Sequence, residues 1–418
     1  MEKKNTGLLS CYRVLDLSDE KGVMCGRVLG DFGADVIQVE RPGGSPVRNI
    51  GPFYHDIPDP EKSLFWFAYC ANKRGITLNI ESADGKEMFK KLVKTADAVI
   101  ESYPPGYMER LGLGYTELSQ VNPSLIMTSI TPFGQTGPYK NFKGPDIVTW
   151  SMGGMSQVTG YPDRPPLRVS FPQSYPHGGA VGVAGTIFAL YYRSVSGEGQ
   201  YVDVSIQEQV VRTLCNVRQF WDVGRINLNR AGQCRVGLSI AKNNRLIWRC
   251  KDGYVSFNTA FSGGPDGRGN QAFVDWMNSD GLEDEYLNSI DWSKYSTAET
   301  TEEQFARMEI PISNFFMKHT MAELFQDAIE KRIMIYPVYS AKEIAEDPQL
   351  KDREFWEKLE HPELGDTVTY PGAFVKFSET ESGLSRRAPL IGEHNQEIYA
   401  ELGLSNDDLL ILKQSRVI

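Results

Sequence analysis

Five basic residues, Arg41, Lys73, Arg74, Arg110 and Lys143, fall close to the ends of segments that read as buried strands, with Tyr103 among them. Guanidinium and ammonium groups at strand ends suit phosphates, and a tyrosine ring offers a flat face to an adenine. Singly, each is an ordinary solvated charge; together they point to an anionic, nucleotide-like ligand. Covalent chemistry is harder to find. Tyr175, in Gln173-Ser174-Tyr175-Pro176-His177-Gly178-Gly179, carries a phenol with a reference pKa of about 10. A phenol does not form the anhydrides and thioesters that make a carboxylate a covalent catalyst. His177, beside Pro176 and Gly178, reads as shaping a helix start. Asp163 lies in the turn-like Tyr161-Pro162-Asp163-Arg164-Pro165-Pro166, and Asp146 reads as a cap.

Other chemistries lack their residue patterns. The five histidines (55, 177, 319, 361 and 394) are isolated, and the six cysteines (11, 25, 70, 215, 234 and 250) form no close pairs, so neither a metal site nor a redox motif is expected. The cysteines read as reduced packing residues. Gly22 and Gly26 do not make the closely spaced set that brings a pyrophosphate to a helix N-terminus, and no Gly-Lys-Ser or Gly-Lys-Thr loop occurs. A net charge of −10 opposes a nucleic-acid footprint. No apolar run approaches the roughly 18 residues of a membrane span, and the leading segment is too short for a signal peptide, so a soluble cytoplasmic protein is expected.

The elements that must position these residues alternate. Arg13–Leu17 reads as a strand, Val23–Phe32 as a helix with Met24, Val28 and Phe32 on one face, and Val36–Val39 as the next strand. Ile76–Ile80, Ala98–Ile100, Leu125–Ile130 and Tyr201–Val204 continue the strands; Asp84–Lys94 and a Gly- and Ala-rich stretch from His177 to Arg193 continue the helices. This pattern favours an α/β fold with a parallel sheet. After residue 225 the composition shifts toward shorter strands and loops. At 418 residues the chain exceeds a single core. The expected division is a large α/β domain over 1–225, a small domain over 226–330, and a segment over 331–418 returning to the large domain.

Four segments in order resemble the family III (CaiB/BaiF-type) CoA-transferases: Val14 to Arg41, ending in Gly33-Ala34-Asp35-Val36-Ile37-Gln38-Val39-Glu40-Arg41; Asn72 to Leu78; Ala96 to Gly112, with Glu101-Ser102-Tyr103-Pro104-Pro105-Gly106; and Thr131 to Gly160, with Phe133-Gly134-Gln135-Thr136-Gly137-Pro138 and Gly144-Pro145-Asp146. Arg387 to His394 adds a fifth. The resemblance implies a large parallel-sheet domain with an inserted smaller domain and two subunits interlocked like links of a chain. It implies CoA or acyl-CoA as substrate, held on Arg41, Leu78, Ile80, Ser102, Tyr103, Arg110 and Lys143, with the loop Gly263–Gly269 near the active site.

In such enzymes an aspartate attacks an acyl-CoA thioester, and the released thiolate returns to make an enzyme-bound thioester from which an acceptor carboxylate takes the CoA. The family's register places Tyr175 at that aspartate, leaving no catalytic residue of this chain's own, with Asp163 as a substitute. The racemase branch of the family needs a His and an acid where Pro145 and Tyr175 stand, so proton transfer at an α-carbon is disfavoured. Ser18-Asp19-Glu20-Lys21-Gly22-Val23 replaces the family's small-residue approach to CoA and adds two acids that oppose phosphates. The resemblance therefore implies a subunit without the aspartate, paired with a paralogous catalytic subunit that supplies it, moving CoA from succinyl-CoA to a carboxylic acid such as benzylsuccinate. Two alternatives stand beside it: a self-sufficient transferase or lyase using a displaced acid, and a non-enzymatic acyl-CoA binding protein.

Overall fold

The computed structural model describes residues 7–236, 243–258, 267–296 and 299–418. Six strands, β1 (Arg13–Asp16), β2 (Asp35–Glu40), β3 (Lys73–Thr77), β4 (Ala98–Glu101), β5 (Ile126–Thr131) and β6 (Gln200–Ser205), form one sheet in the order β3-β2-β1-β4-β5-β6. Every pairing is parallel, with Leu15 opposite both Ile37 and Val99, and Val99 opposite Met127. The central strands β1 and β4 carry the short apolar runs Val14–Leu15 and Ala98–Ile100 because both of their faces are covered. Leu15, Ile37, Val99 and Met127 meet Met88, Phe89 and Leu92 of the helix Ala83–Val93 on one face. Val14, Val36, Ile100 and Ile126 meet Val28 and Leu29 of the helix Val23–Asp31 and Val183 and Leu190 of the helix Ser174–Ser196 on the other.

The two helices on this second face touch through glycine. A Cβ on Gly179 would stand 2.9 Å from the Cβ of Met24, and one on Gly182 would stand 2.7 Å from Ile130 Cδ1. Only glycine permits that approach, which seats the first turns of the helix Ser174–Ser196 over the start of Val23–Asp31.

Two expected elements shift. The helix begins at Ser174, not His177, because Pro176 lies in its first turn, where a missing N–H costs nothing; this draws Tyr175 into the helix. The strand expected over Ile76–Ile80 is Lys73–Thr77, because its partner β2 ends at Glu40, opposite Thr77. Beyond it Leu78 N still donates to Glu40 O at 2.6 Å, while Asn79 N turns away to Val417 O at 2.7 Å, so the chain leaves β2 after Leu78.

The chain divides into two compact units. The first runs to Gly153 and takes Val169–Thr213 and Pro348–Ile418; the second takes Gly154–Arg168 and Leu214–Asp347. The expected small domain over 226–330 falls inside the second unit, which is larger at both edges. The chain stays there past 330 because β11 (Ile335–Pro337) pairs with β10 (Tyr254–Phe257) beside β9 (Ile247–Arg249), all antiparallel. A short ladder of β7 (Cys234–Val236) and β8 (Asn243–Arg245) completes its strands among the described residues. Trp248, Phe257, Phe273, Trp276, Phe315 and Phe316 form its aromatic core. Among the described residues no helix is long and apolar enough to cross a membrane.

Candidate active site and nucleotide cavity

The sheet order reverses between β1 and β4, and open α/β sheets bind ligands beyond the carboxyl ends of strands at such a point. A cavity of 480 Å³ opens there, between Leu17 and Ser18 after β1, Arg41 and Ser45 after β2, Leu78 and Ile80 after β3, and Tyr103 after β4. It is assembled from four of the seven residues expected to hold CoA: Arg41, Leu78, Ile80 and Tyr103. Ser102 is buried just behind, its hydroxyl donating to Asp19 Oδ1 at 2.7 Å and accepting from Asp19 N at 2.9 Å, so it fixes the loop Ser18–Gly22 to the cavity wall. Arg110 and Lys143 are exposed and do not line the cavity. Arg110 ends the short helix Tyr107–Arg110, with its guanidinium 5.9 Å from the Tyr107 ring centroid.

Lys73 and Arg74 are not cavity cations. Parallel pairing puts them at the amino end of β3, away from the ligand edge. Lys73 is fully buried, and its Nζ donates to Asp16 Oδ2 at 2.8 Å, Val23 O at 3.0 Å and Gln38 Oε1 at 3.0 Å. Burial opposes its charge, but Asp16, with Cys70 and Cys25, more than offsets that and holds the ammonium above its usual range. Arg74 binds Asp35 at 2.6 Å and also pairs with Glu397 and Glu401. Glu40 is likewise committed: Arg48 meets it through two bonds of 2.6 and 2.8 Å, in a buried pair under the Trp66 ring.

Among the lining residues that sequence reasoning missed are Tyr107, Glu81 and Arg416. Tyr107 stacks on Tyr103 with centroids 4.5 Å apart and planes at 27°, and its hydroxyl donates to Glu81 Oε1 at 2.7 Å. Tyr103 precedes the helix Tyr107–Arg110 across Pro104-Pro105-Gly106, so no helical spacing announces the pair. Glu81 and Arg416 carry no local signal; the latter arrives from a distant segment.

Tyr175 sits in the first turn of the helix Ser174–Ser196, half-buried, with its hydroxyl donating to Gly144 O at 3.1 Å. Burial, then the carboxylates of Glu20, Asp19 and Asp146, push the phenol well above its ordinary range. A phenolate nucleophile is the species this setting opposes. Asp146 caps this helix rather than its own: Oδ1 accepts from Gln173 N at 3.0 Å, Ser174 N at 2.8 Å and Ser174 Oγ at 2.7 Å. His177 lies in the same turn, 6.0 Å from Trp150 between ring centroids, with its Nδ1 buried and without a protein partner. Glu20 is partly buried beside this turn, its carboxyl raised first by desolvation and then by Asp19. The loop Ser18–Gly22 thus faces the cavity through Ser18 and Asp19 and Tyr175 through Asp19 and Glu20.

Asp163 is exposed in a turn closed by Arg164 N donating to Tyr161 O at 3.2 Å, and belongs to the second unit. Of the loop Gly263–Gly269, residues 263–266 lie outside the described residues, and Gly267 opens the helix Gly267–Ser279. Burial drives the thiols of Cys25 and Cys70 upward, the latter to about 12, which suits packing residues and not nucleophiles.

Residues 9–395 match the model of CoA-transferase family III. The chain is 34% identical over 395 residues to the succinyl-CoA:(R)-benzylsuccinate CoA-transferase subunit BbsE of Thauera aromatica, covering 94% of each chain. It is 31% identical over 420 residues to the succinyl-CoA–D-citramalate CoA-transferase of Chloroflexus aurantiacus, covering 98% of each. The fold superposes on a CaiB/BaiF family protein from Brucella suis with a TM-score of 0.79 at 27% identity, over 96% of this chain and 100% of that one. The α/β fold, the cavity at its switch point and these matches lead to one conclusion: this chain belongs to CoA-transferase family III.

Proposed function

We propose that this chain is the subunit without a covalent aspartate in a heteromeric CoA-transferase, which moves CoA from succinyl-CoA to a carboxylic acid, with benzylsuccinate as the first acceptor to test. The observation that carries the reading is Tyr175, a phenol bonded to a backbone carbonyl and surrounded by three carboxylates where the family's nucleophile belongs. The name of the Thauera aromatica relative, a subunit of a succinyl-CoA:(R)-benzylsuccinate CoA-transferase, supports both the heteromer and the substrates.

In this scheme a paralogous partner supplies the aspartate. Its carboxylate attacks succinyl-CoA, giving an aspartyl-succinyl anhydride and CoA thiolate; the thiolate attacks the aspartyl carbonyl and expels succinate. The acceptor carboxylate then displaces the thiolate to form a second anhydride, and attack of the thiolate on its acyl carbonyl releases the new thioester and restores the aspartate. This chain contributes the fold, the nucleotide cavity and subunit contacts. Its helix Ser174–Ser196 carries an apolar stripe, Phe188 at 72%, Tyr191 at 72% and Val195 at 77% exposure, that suits burial against an interlocked partner.

A second reading keeps the chemistry in this chain. Glu20, partly desolvated beside Tyr175, is a better-placed displaced acid than exposed Asp163. The deciding experiment is CoA transfer from succinyl-CoA to a panel of dicarboxylates, by the chain alone and after co-expression with its genomic neighbours. Activity only in the co-purified complex supports the silent subunit. Activity of the chain alone, with hydroxylamine trapping an acyl group on Glu20, overturns it; CoA binding with no activity in any complex favours a binding protein.

A further inference from the structure

Arg416 enters the nucleotide cavity from a part of the sequence far from every other lining residue. The local structure that places it there is unfavourable for arginine. The helix Asn406–Gln414 ends at Ser415, and Arg416 then takes φ 56°, the left-handed conformation that glycine or asparagine usually supplies after a helix. The main chain on either side is secured: Arg416 N donates to Lys413 O at 3.1 Å, Val417 N to Leu412 O at 2.9 Å, and Asn79 N to Val417 O at 2.7 Å. Val417 and Ile418 are buried. The segment is thereby clamped to the strand end that carries Leu78 and Ile80, and the exposed side chain of Arg416 is left for the cavity.

The charges of the cavity single it out further. Glu40 is neutralised by Arg48, Asp19 is paired with Lys21, and Glu81 accepts the Tyr107 hydroxyl. Among the described residues neither Arg41 nor Arg416 is paired with a carboxylate; the Arg41 Nε donates only to Gly44 O, at 3.3 Å. Two unpaired guanidinium groups on one cavity, with stacked Tyr103 and Tyr107 between the strand ends, fit a ligand with an adenine and two separate phosphate centres.

We propose that Arg416 contacts a phosphate of the CoA nucleotide, as a binding residue of this cavity in addition to those the family resemblance implies. The inference rests on the reading of the cavity as the CoA site. Its two sources of phosphate, the 3′-phosphate and the diphosphate, are separated by experiment.

The test is calorimetric titration of the full chain with CoA and with dephospho-CoA, each at two salt concentrations, for the wild type, Arg416→Gln and Arg416→Lys. Arg416→Gln is expected to weaken CoA about tenfold, with partial recovery in Arg416→Lys and an unchanged melting temperature. If the wild-type preference for CoA over dephospho-CoA collapses in Arg416→Gln, the contact is to the 3′-phosphate. If both ligands weaken equally and the salt dependence falls, it is to the diphosphate. Unchanged affinity, or an equal loss with unchanged salt dependence, overturns the role of Arg416 while leaving the cavity assignment standing. A wild-type chain that binds neither ligand, alone or in its complex, removes both.

Discussion

The Tyr175 hydroxyl donates to the Gly144 carbonyl at 3.1 Å, and this bond joins the helix Ser174–Ser196 to the loop preceding the helix Asp146–Met152. The same two segments are joined by Asp146, which accepts from Ser174 N at 2.8 Å. Tyr175 therefore acts as a strut in a capped helix start. Its oxygen is occupied by a backbone acceptor, and its proton is held there by burial and by the neighbouring acids.

Replacing the strut does not restore catalysis. In Tyr175→Asp the new carboxylate would sit among Glu20, Asp19 and Asp146, whose like charges oppose its ionised form. The variant alone is expected to turn over below about 1% of the rate of the complex, at least about 2.7 kcal/mol short in transition-state stabilisation. Tyr175→Phe should cost about 1 kcal/mol of stability and leave the rate of the complex nearly unchanged. Efficient transfer by Tyr175→Asp, followed by thioester exchange, would show that the acidic loop is no obstacle.

Glu101 makes stability pH-dependent. It is 3% exposed at the end of β4, and desolvation raises its carboxyl from 4.5 to about 7 despite the bond of 2.7 Å from Tyr103 N. Between those values the folded chain holds more protons than the unfolded chain, so this residue lowers stability as pH rises from about 4.5 to 7. Glu101→Gln should gain on the wild type across that window, by up to about 3 kcal/mol at the upper end. Urea unfolding at pH 5 and pH 7.5 checks the sign; an equal difference at both values would refute it.

Lys73→Met should be among the most damaging single changes in the first unit. It leaves Asp16 at 0% exposure without its cation, with only Ser18 N and Ser18 Oγ, among the described residues, still donating to it. Loss of one partner of a buried pair costs about 3–5 kcal/mol. Chemical denaturation of the purified variant gives the number, and a loss below about 1 kcal/mol would mean that water reaches Asp16.

The stacked tyrosines and Arg41 test the cavity itself. Tyr103→Ala removes the ring that stacks on Tyr107 and should weaken CoA by about 1–3 kcal/mol, the range for losing one aromatic platform under a base. Arg41→Ala should weaken CoA by a similar amount and flatten the salt dependence. Lys143→Ala, a change at an exposed residue outside the cavity, serves as the comparison. Equal effects at all three positions would argue against a cavity-specific site.

Much of the framework was legible in the chain alone. The strand–helix alternation needs only residues within a turn or a pleat of each other, and the apolar runs at Val14–Leu15, Val36–Ile37 and Ala98–Ile100 announced strands buried on both faces. Tyr175 is a matter of residue identity and needs no structure to be recognised as a phenol. Helix and strand limits were less legible. The start at Ser174 depends on Asp146, 28 positions away, supplying the cap, and the end of β3 depends on where β2 stops.

Residue type by itself determined which side chains could carry charge, stack on a base or fail as a covalent catalyst. It did not distinguish Lys73 from Arg41. Both are cations near a strand, yet Lys73 starts β3 and its side chain runs inward to Asp16 in the core, whereas Arg41 follows Glu40 at the ligand edge. Tertiary structure alone brought Arg416 beside Leu78 and set Glu20 against Tyr175, because such neighbours are fixed by packing between segments distant in sequence. Local periodicity reports only which face of an element is buried; the fold decides what stands opposite that face, and with it which charges remain for a ligand.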